Sequence, residues 1–457
     1  MSTILDEFIA RARDVSFADA CDRLKVPDAA KGKTEYQGPC PAEGGKDRFS
    51  VNRKKGVWNC RGCATGGHDG IGLAAHVGGL DLRNRAQFLL ACAAVLSEQV
   101  PDEGERETDE VRGAREGRIA AAKARTEQRR AENEKSAGAF RDKEIAKARG
   151  MWLNAVDCGA DSKEAVRGAT VIGGYLKART GFDVPGGVFD HLRFIPACSY
   201  WHGQDDLGRP VSIHSGPAMV APFVDPAGRI VGCHLTWIDL GRAPKHRPIL
   251  FALTAEGLRA GRRTIADGHS ALPPSAEDLE AGYYERLPTK KMRGAKKGGL
   301  IPVFGDPEAG RWVGGEGIES VVAIAGPEGF RADSFYFAAG DIGNLAGPAD
   351  PDSSFFHPTL KKQDTAGRWK RVKVKGPVPR ADQQPDEAVQ VPGHVTELVL
   401  IADGDSEPVA TASDMARAEA RLAREGRTVT TWWPPEGQDF ADAMVAAMAQ
   451  VDGTEHD

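Results

Sequence analysis

The chain has 457 residues, 27% of them charged, and a formal net charge of −5. That length exceeds what one core supports and predicts two or three domains. The acidic balance excludes a protein that holds polyanions over its whole surface, so any nucleic-acid contact must be local; no apolar run is long enough to cross a bilayer. The opening residues, Met1 to Glu7, lack a basic-then-apolar leader pattern, which predicts a cytoplasmic protein that is not held in a membrane. Of eight cysteines only Cys40, Cys60 and Cys63 cluster, so no disulfide framework is expected.

Residues 3–14 and 17–24 read as short helices. Phe49 to Asn52 and Val57 to Asn59 then pair as a hairpin around the turn Arg53 to Gly56. Cys60-Arg61-Gly62-Cys63 presents two thiolates to one tetrahedral ion, and a first knuckle at Cys40 supplies more, which points to zinc. A helix follows, reaching Val77. The stretches Cys40-Pro41, Gly44-Gly45-Lys46-Asp47-Arg48-Phe49, Trp58-Asn59-Cys60-Arg61-Gly62-Cys63 and Gly66-Gly67 resemble the zinc-binding domain of phage and plasmid primases. The departure is Glu43, where that family has Cys or His. Spacing gives the fourth ligand to Glu43; chemistry gives it to His68, because imidazole suits zinc among thiolates and Gly66-Gly67 lets the chain bend back. The balance goes to His68. A knuckle that has lost its metal is the bland alternative, but the hairpin is too small to bury a core unaided.

Residues 101–149 are nearly all charged or alanine, without a wide apolar face, and read as a solvated helix or semi-rigid linker. From residue 150 to 300 an α+β region is expected. Met151-Trp152 begins one helix and Ala165 to Thr180 forms another. Val220 to Val224 and Arg229 to Leu240 make a hairpin across Asp225-Pro226-Ala227-Gly228. Cys158, Cys198 and Cys233 have no metal spacing and read as core thiols.

Two basic clusters follow. Arg286, Lys290, Lys291, Arg293, Lys296 and Lys297 form the first. Lys361, Lys362, Arg368, Lys370, Arg371, Lys373, Lys375 and Arg380 form the second, with Trp369 available to stack on a base. A charge run is usually a solvated face, but two runs flanking one acidic crevice favour contact with nucleic acid or nucleotide phosphates.

That crevice comes from residues 301–457. Trp312 to Gly315 reads as a strand ending in Glu316-Gly317, and Leu398 to Ala402 as one ending in Asp403-Gly404-Asp405. Helices follow at Ile318 to Ala325 and Val409 to Arg424. A third strand, Arg427 to Trp432, leads to Gly437-Gln438-Asp439. In an open parallel sheet such strand ends share one crevice, and carboxylates gathered there repel unless a hard cation such as Mg²⁺ is bound. Asp-Gly-Asp alone is also an ordinary turn. Glu-Gly, Asp-x-Asp and Gly-x-Asp in this order resemble the Toprim domain of bacterial-type primases, topoisomerases and some nucleases.

The resemblance implies an α+β multidomain fold: a zinc ribbon in residues 1–100, then an α/β catalytic core ending in a Rossmann-like Toprim domain. The region 150–300 resembles, more loosely, what precedes Toprim in phage-type primases. Catalytic roles carry over to Glu316, Asp403, Asp405 and Asp439, with Mg²⁺ or Mn²⁺ on Glu316, Asp403 and Asp405. Asp442 is displaced from the usual second acid, and Glu319 matches only weakly, since Ser320 holds the family's acidic place. The implied activity is RNA primer synthesis on single-stranded DNA from ribonucleoside triphosphates. No phosphate loop of Gly-x4-Gly-Lys type occurs in the sequence, so the helicase partner is expected on a separate chain. A Toprim nuclease or topoisomerase is the rival, although no tyrosine sits in a recognisable topoisomerase site. A non-catalytic DNA-binding replication factor is the second rival.

Overall fold

In the computed structural model the described residues are 4–29, 34–63, 65–101, 109–204, 209–262, 274–363 and 369–454. They form two compact units. One comprises Met1–Ala139, Gln204–Arg209 and Phe356–Lys373; the other comprises Phe140–Gly203, Pro210–Phe355 and Val374–Asp457.

The first unit opens with α1 (Ile4–Asp14) and α2 (Phe17–Arg23), the latter capped by the Ser16 side chain, which accepts from the Asp19 N–H. Four antiparallel strands follow in sheet order: β1 (Tyr36–Cys40), β2 (Gly44–Asn52), β3 (Val57–Cys60) and β4 (Thr65–Gly67). The expected hairpin closes with Asn52 opposite Val57. Asp69 then caps α3 (Gly70–Gly78), and α4 (Arg85–Leu96) packs beside it. Phe8, Ile71, Ala74, Ala91 and Val95 make the helical core, while Phe49, Trp58 and Leu73 make a second core under the ribbon.

The charged stretch is a single helix, α5 (Asp109–Asn154), which carries through Met151-Trp152 instead of ending before a new helix. Among the described residues of that span Gly150 is the only breaker near the expected boundary, and one glycine costs only about 1 kcal/mol. Near its start it is fastened to α1 by Arg118 to Glu7 at 2.7 Å and Arg125 to Asp14 at 2.6 Å, with Ile119 and Ala122 against Ala10. This explains how a helix without a wide apolar face holds its place: ion pairs and a narrow seam replace a stripe.

The second unit holds two five-stranded sheets. The first has the order β11-β8-β7-β6-β5, from β5 (Val156–Asp157), β6 (Arg193–Gln204), β7 (Pro210–Val224), β8 (Ile230–Trp237) and β11 (Lys290–Gly294). The expected hairpin is β7–β8; Asp225 closes its turn by accepting from the backbone of Ala227 and Arg229. Helix α6 (Lys163–Thr180) buries Ile172, Tyr175, Leu176 and Arg179, a three-four spacing that includes one charge. Short pieces β9 (Leu250–Leu253), α7 (Ala255–Arg259), α8 (Ala276–Glu280) and β10 (Tyr284–Leu287) lie between β8 and β11 in the chain. Cys158, Cys198 and Cys233 are buried, as expected of core thiols.

The other sheet runs β12-β14-β13-β17-β18: β12 (Ile301–Phe304), β13 (Arg311–Gly315), β14 (Ser334–Ala338), β17 (Glu397–Ile401) and β18 (Thr428–Trp432). β14, β13, β17 and β18 are mutually parallel; β12 is antiparallel to β14. Alternate residues feed two cores. Val313, Tyr336, Val399 and Ile401 face α6 and α9 (Ile318–Ala325); Trp312, Phe335, Phe337, Leu398 and Leu400 face α10 (Ile342–Ala346) and α11 (Pro408–Leu422). Burial on both faces explains why these strands read as continuous apolar runs. α12 (Phe440–Thr454) ends the described chain, and the ribbon β15 (Phe355–Gln363) with β16 (Trp369–Val374) is inserted between β14 and β17 in the sequence.

Candidate functional site

Cys40 ends β1, Cys60 ends β3, Cys63 follows in the turn, and His76 projects from α3. Their ligand atoms all lie within 4.8 Å of one another. Cys40 Sγ is 3.4 Å from Cys63 Sγ and 3.6 Å from His76 Nε2. With bonds of about 2.3 Å to sulfur and about 2.0–2.1 Å to nitrogen, a tetrahedral ion has S–S edges of roughly 3.8 Å and S–N edges of roughly 3.5 Å, so both separations are within reach of one ion. Cys63, then His76, stabilise the Cys40 thiolate and hold it far below its ordinary range, while Cys63 is driven up, chiefly by Cys40 and then by burial. Three thiols sharing so little space are the donor set that a zinc ion would satisfy with all positions filled, a closed structural site.

The fourth position corrects the sequence expectation. His68 is exposed, and neither it nor Glu43 belongs to the gathered set. β4 pairs with β3, Cys60 opposite Thr65, and so carries the chain past the knuckle before α3 begins. The α3 face bearing Leu73 and Val77 packs on the ribbon, and His76 shares that face. Glu43 is half-buried beside the group, its backbone N–H donating to Cys40 Sγ at 3.3 Å and its carboxyl pushed up by burial and then by Cys40. The signal for His76 was its helical spacing from Leu73, which a search for knuckle spacings does not see.

The second site is the carboxyl edge of the parallel sheet. All four parallel strands run into an acid. β13 leads to Glu316, β14 to Asp341, β17 to Asp403 and Asp405, and β18 to Asp439. Glu316 is pushed up to about 7 by burial, then by Asp403 and Asp341. Asp405 is pushed up to about 6, first by the neighbouring Asp403 carboxylate, then by burial, with Asp439 also contributing. Among the described residues these carboxylates do not gather as a metal-holding group the way Cys40, Cys60, Cys63 and His76 do, so the edge is more open than the cysteine site. Gly404 sets its geometry: a Cβ there would meet the Gln438 carbonyl at 2.4 Å, so only glycine lets the Asp403–Asp405 loop lie against the Asp439 loop.

Cations rim this edge. Lys296 pairs with Asp341, which also caps α10 through the Asn344 N–H at 2.7 Å. Lys245 and Arg179 reach Asp442 at 2.7 and 2.8 Å, and Asp439 at 3.8 and 3.6 Å. Asp439 further caps α12, accepting from the Asp442 N–H at 2.6 Å, so it has a structural role of its own. Glu319 is 5% exposed, paired with Lys290 at 2.8 Å and accepting from Tyr175 Oη at 2.5 Å. Burial opposes its charge, but Lys290 and Tyr175 outweigh that and hold the carboxyl well below its ordinary range. The Nε atoms of Arg179 and Arg247 are buried without a hydrogen-bond partner.

The first basic cluster is not one patch. Strand alternation sends Lys290 and Met292 to the crevice side of β11 and Lys291 and Arg293 to the other. Met292 packs in the crevice-side core, whereas the Lys291 ammonium sits 3.5 Å over the Tyr200 ring and donates to the Trp201 carbonyl at 2.6 Å. Burial, then Arg293, lowers Lys291 to about 8. Lys297 is exposed. In the second cluster Lys370, Arg371, Lys373 and Lys375 are exposed on or just after β16, and Arg368 lies outside the described residues. Sequence reasoning missed His76, Asp341, Lys245 and Arg247, and gave Arg179 no role; a charge on the apolar face of α6 was the available signal for the last.

Comparison with known proteins supports part of this picture. Residues 35–71 match the family described as the zinc-binding domain of primase-helicase, and residues 143–250 match a domain of unknown function. No curated protein was found to match. Among solved structures, the Aquifex aeolicus primase with its zinc-binding and RNA polymerase domains is 15% identical, over 99% of this chain and 86% of that one, at a TM-score of 0.26. A DNA primase domain from Pseudomonas aeruginosa is 14% identical over 66% and 74%, at 0.29. Scores at that level do not establish a shared fold. The matched segment and the Cys40, Cys60, Cys63 and His76 group together support one structural zinc ion in a mixed α+β chain.

Proposed function

We propose that the chain is a DNA primase of the phage or plasmid type, with a Toprim-like acidic site, making short RNA primers on single-stranded DNA beside a separate replicative helicase. The observation that carries the reading is the row of Glu316, Asp403 and Asp405 at the ends of adjacent parallel strands. Its neighbour in support is the primase-type zinc segment.

Glu316, Asp403 and Asp405 would hold Mg²⁺ or Mn²⁺; crowding that raises two of these carboxyls is the strain a divalent cation relieves. When bound, such an ion neutralises charge on the triphosphate. Ser406 Oγ donates to Asp403 Oδ2 at 2.5 Å and fixes that carboxylate's direction. Lys290 and Lys296, paired with Glu319 and Asp341, offset part of the carboxylate charge around the crevice. The reaction joins a primer 3′-oxygen to the α-phosphorus of the incoming nucleotide and breaks its bond to pyrophosphate. The test uses the full chain with labelled ribonucleoside triphosphates, single-stranded DNA and Mg²⁺. Short alkali-labile products that vanish in Asp405→Ala are expected. Cleaved DNA without such products gives the nuclease reading instead.

A further inference from the structure

The ribbon β15–β16 lies in the sequence between Asp341 and Asp403 of the acidic edge. From Phe356 to Lys373 it belongs to the unit that carries the zinc ribbon, although both its ends run into the other unit's sequence. Its described residues, 355–363 and 369–374, hold five Lys and Arg side chains and no acid. Along β16, Trp369, Arg371 and Lys373 alternate with Lys370, Val372 and Val374, so the first three share one face. All three are exposed, Trp369 by 66%, whereas Val374 is buried. Lys362 of β15 lies within electrostatic reach of Arg48 and Glu43 of the zinc ribbon, and Lys373 within reach of Asp81.

A two-stranded ribbon is only marginally stable, and like charges across it destabilise it further. Five cations and an exposed indole are therefore a poor choice for a purely structural hairpin. They complement a polyanion with open aromatic faces. Single-stranded DNA offers phosphates to Arg371 and Lys373 and an unstacked base to Trp369; duplex DNA keeps its bases stacked. The bland alternative is a solvated ribbon.

We infer that the face formed by Trp369, Arg371 and Lys373 binds single-stranded DNA, Trp369 stacking on a base while the two cations hold phosphates, and that this surface works as part of the zinc-binding unit. The partner class rests on the primase reading; the contact itself is read without primer synthesis.

The experiment follows anisotropy of a fluorescein-labelled oligothymidylate on the full-length protein across a salt series, without nucleotides. Arg371→Gln with Lys373→Gln is expected to weaken binding at least tenfold. It should also flatten the log–log salt slope by about 1.4, two contacts at roughly 0.7 each. Trp369→Ala is expected to weaken binding about tenfold with the slope kept, and Trp369→Phe to restore most of it, because stacking is insensitive to salt. Zinc content and thermal midpoint equal to wild type show that each variant is folded. Wild-type affinity and slope in the double variant overturn the inference, and so does an equal loss measured on duplex DNA. If wild-type protein binds, the variants fail to bind and no protein makes primers, the primase reading falls and this surface stands. If all make primers and bind alike, the surface falls and the reading stands.

Discussion

The His76 imidazole lies on the Trp58 indole, ring centroids 5.0 Å apart and planes inclined by 23°. Phe49, itself 6.3 Å from Trp58, adds a third ring 5.5 Å from His76. Packing thus orients the ring before any ion arrives, with Nε2 turned to Cys40. The ligand is aimed by a hydrophobic core rather than by the knuckle's own backbone.

The zinc assignment follows directly. Wild-type protein is expected to carry one zinc per chain by plasma emission. His76→Ala and Cys60→Ser should lose it, while His68→Ala and Glu43→Ala keep it. Loss of metal should also lower the stability of the first unit, since binding energy at a closed site is folding energy. Full zinc in His76→Ala, or none in wild type, contradicts the assignment.

Carboxylate crowding at the sheet edge predicts a gain in stability on neutralisation. In EDTA at pH 7.5, Glu316→Gln should raise the thermal midpoint, because it removes a buried charge that Asp403, Asp341 and Asp405 all repel. Mg²⁺ should raise the wild-type midpoint by several degrees and the variant's by less. Differential scanning calorimetry of both proteins with and without Mg²⁺ makes the check, and an equal response to Mg²⁺ counts against Glu316 as a ligand.

Gly404 is expected to resist even alanine. The added methyl would sit 2.4 Å from the Gln438 carbonyl and 2.8 Å from Pro434, so one loop must move. Overpacking of this kind costs about 1–3 kcal/mol. Displacing Asp403 and Asp405 should abolish primer synthesis while zinc content stays unchanged. An alanine variant with wild-type midpoint and activity would show that the two loops are not held together.

Glu319 gives the opposite sign to Glu316. Its folded-state pKa lies below the ordinary 4.5, mainly through Lys290 once burial is overcome. The pair's contribution is therefore complete above pH 4.5 and is lost as pH falls below it. Lys290→Met leaves the buried carboxylate uncompensated and should cost about 3 kcal/mol at pH 7. Tyr175→Phe should cost about 1–2 kcal/mol. Urea melts at pH 7 and pH 3.5 test this: the penalty of Lys290→Met must shrink at the lower pH, and a pH-independent penalty would point to lost packing instead.

Whatever is set by a few consecutive residues was legible in the chain itself. The turn at Arg53 to Gly56, the hairpin across Asp225 to Gly228 and the strands ending at Gly315 and Ile401 are written in turn chemistry and apolar runs. So were Cys40, Cys60 and Cys63, because knuckle spacing is a local property. The fourth ligand was not: His76 reaches the site only because Leu73 and Val77 dock α3 on the ribbon, a contact between elements distant from the knuckle in sequence. Asp341 joins the acidic edge only because β14 lies beside β13 in the sheet, an order that no local signal encodes. Lys290 and Lys291 are neighbours in the chain yet face opposite sides of β11, since a strand reverses its side chains at every residue. Local chemistry decided which residues could serve; long-range packing decided which of them meet.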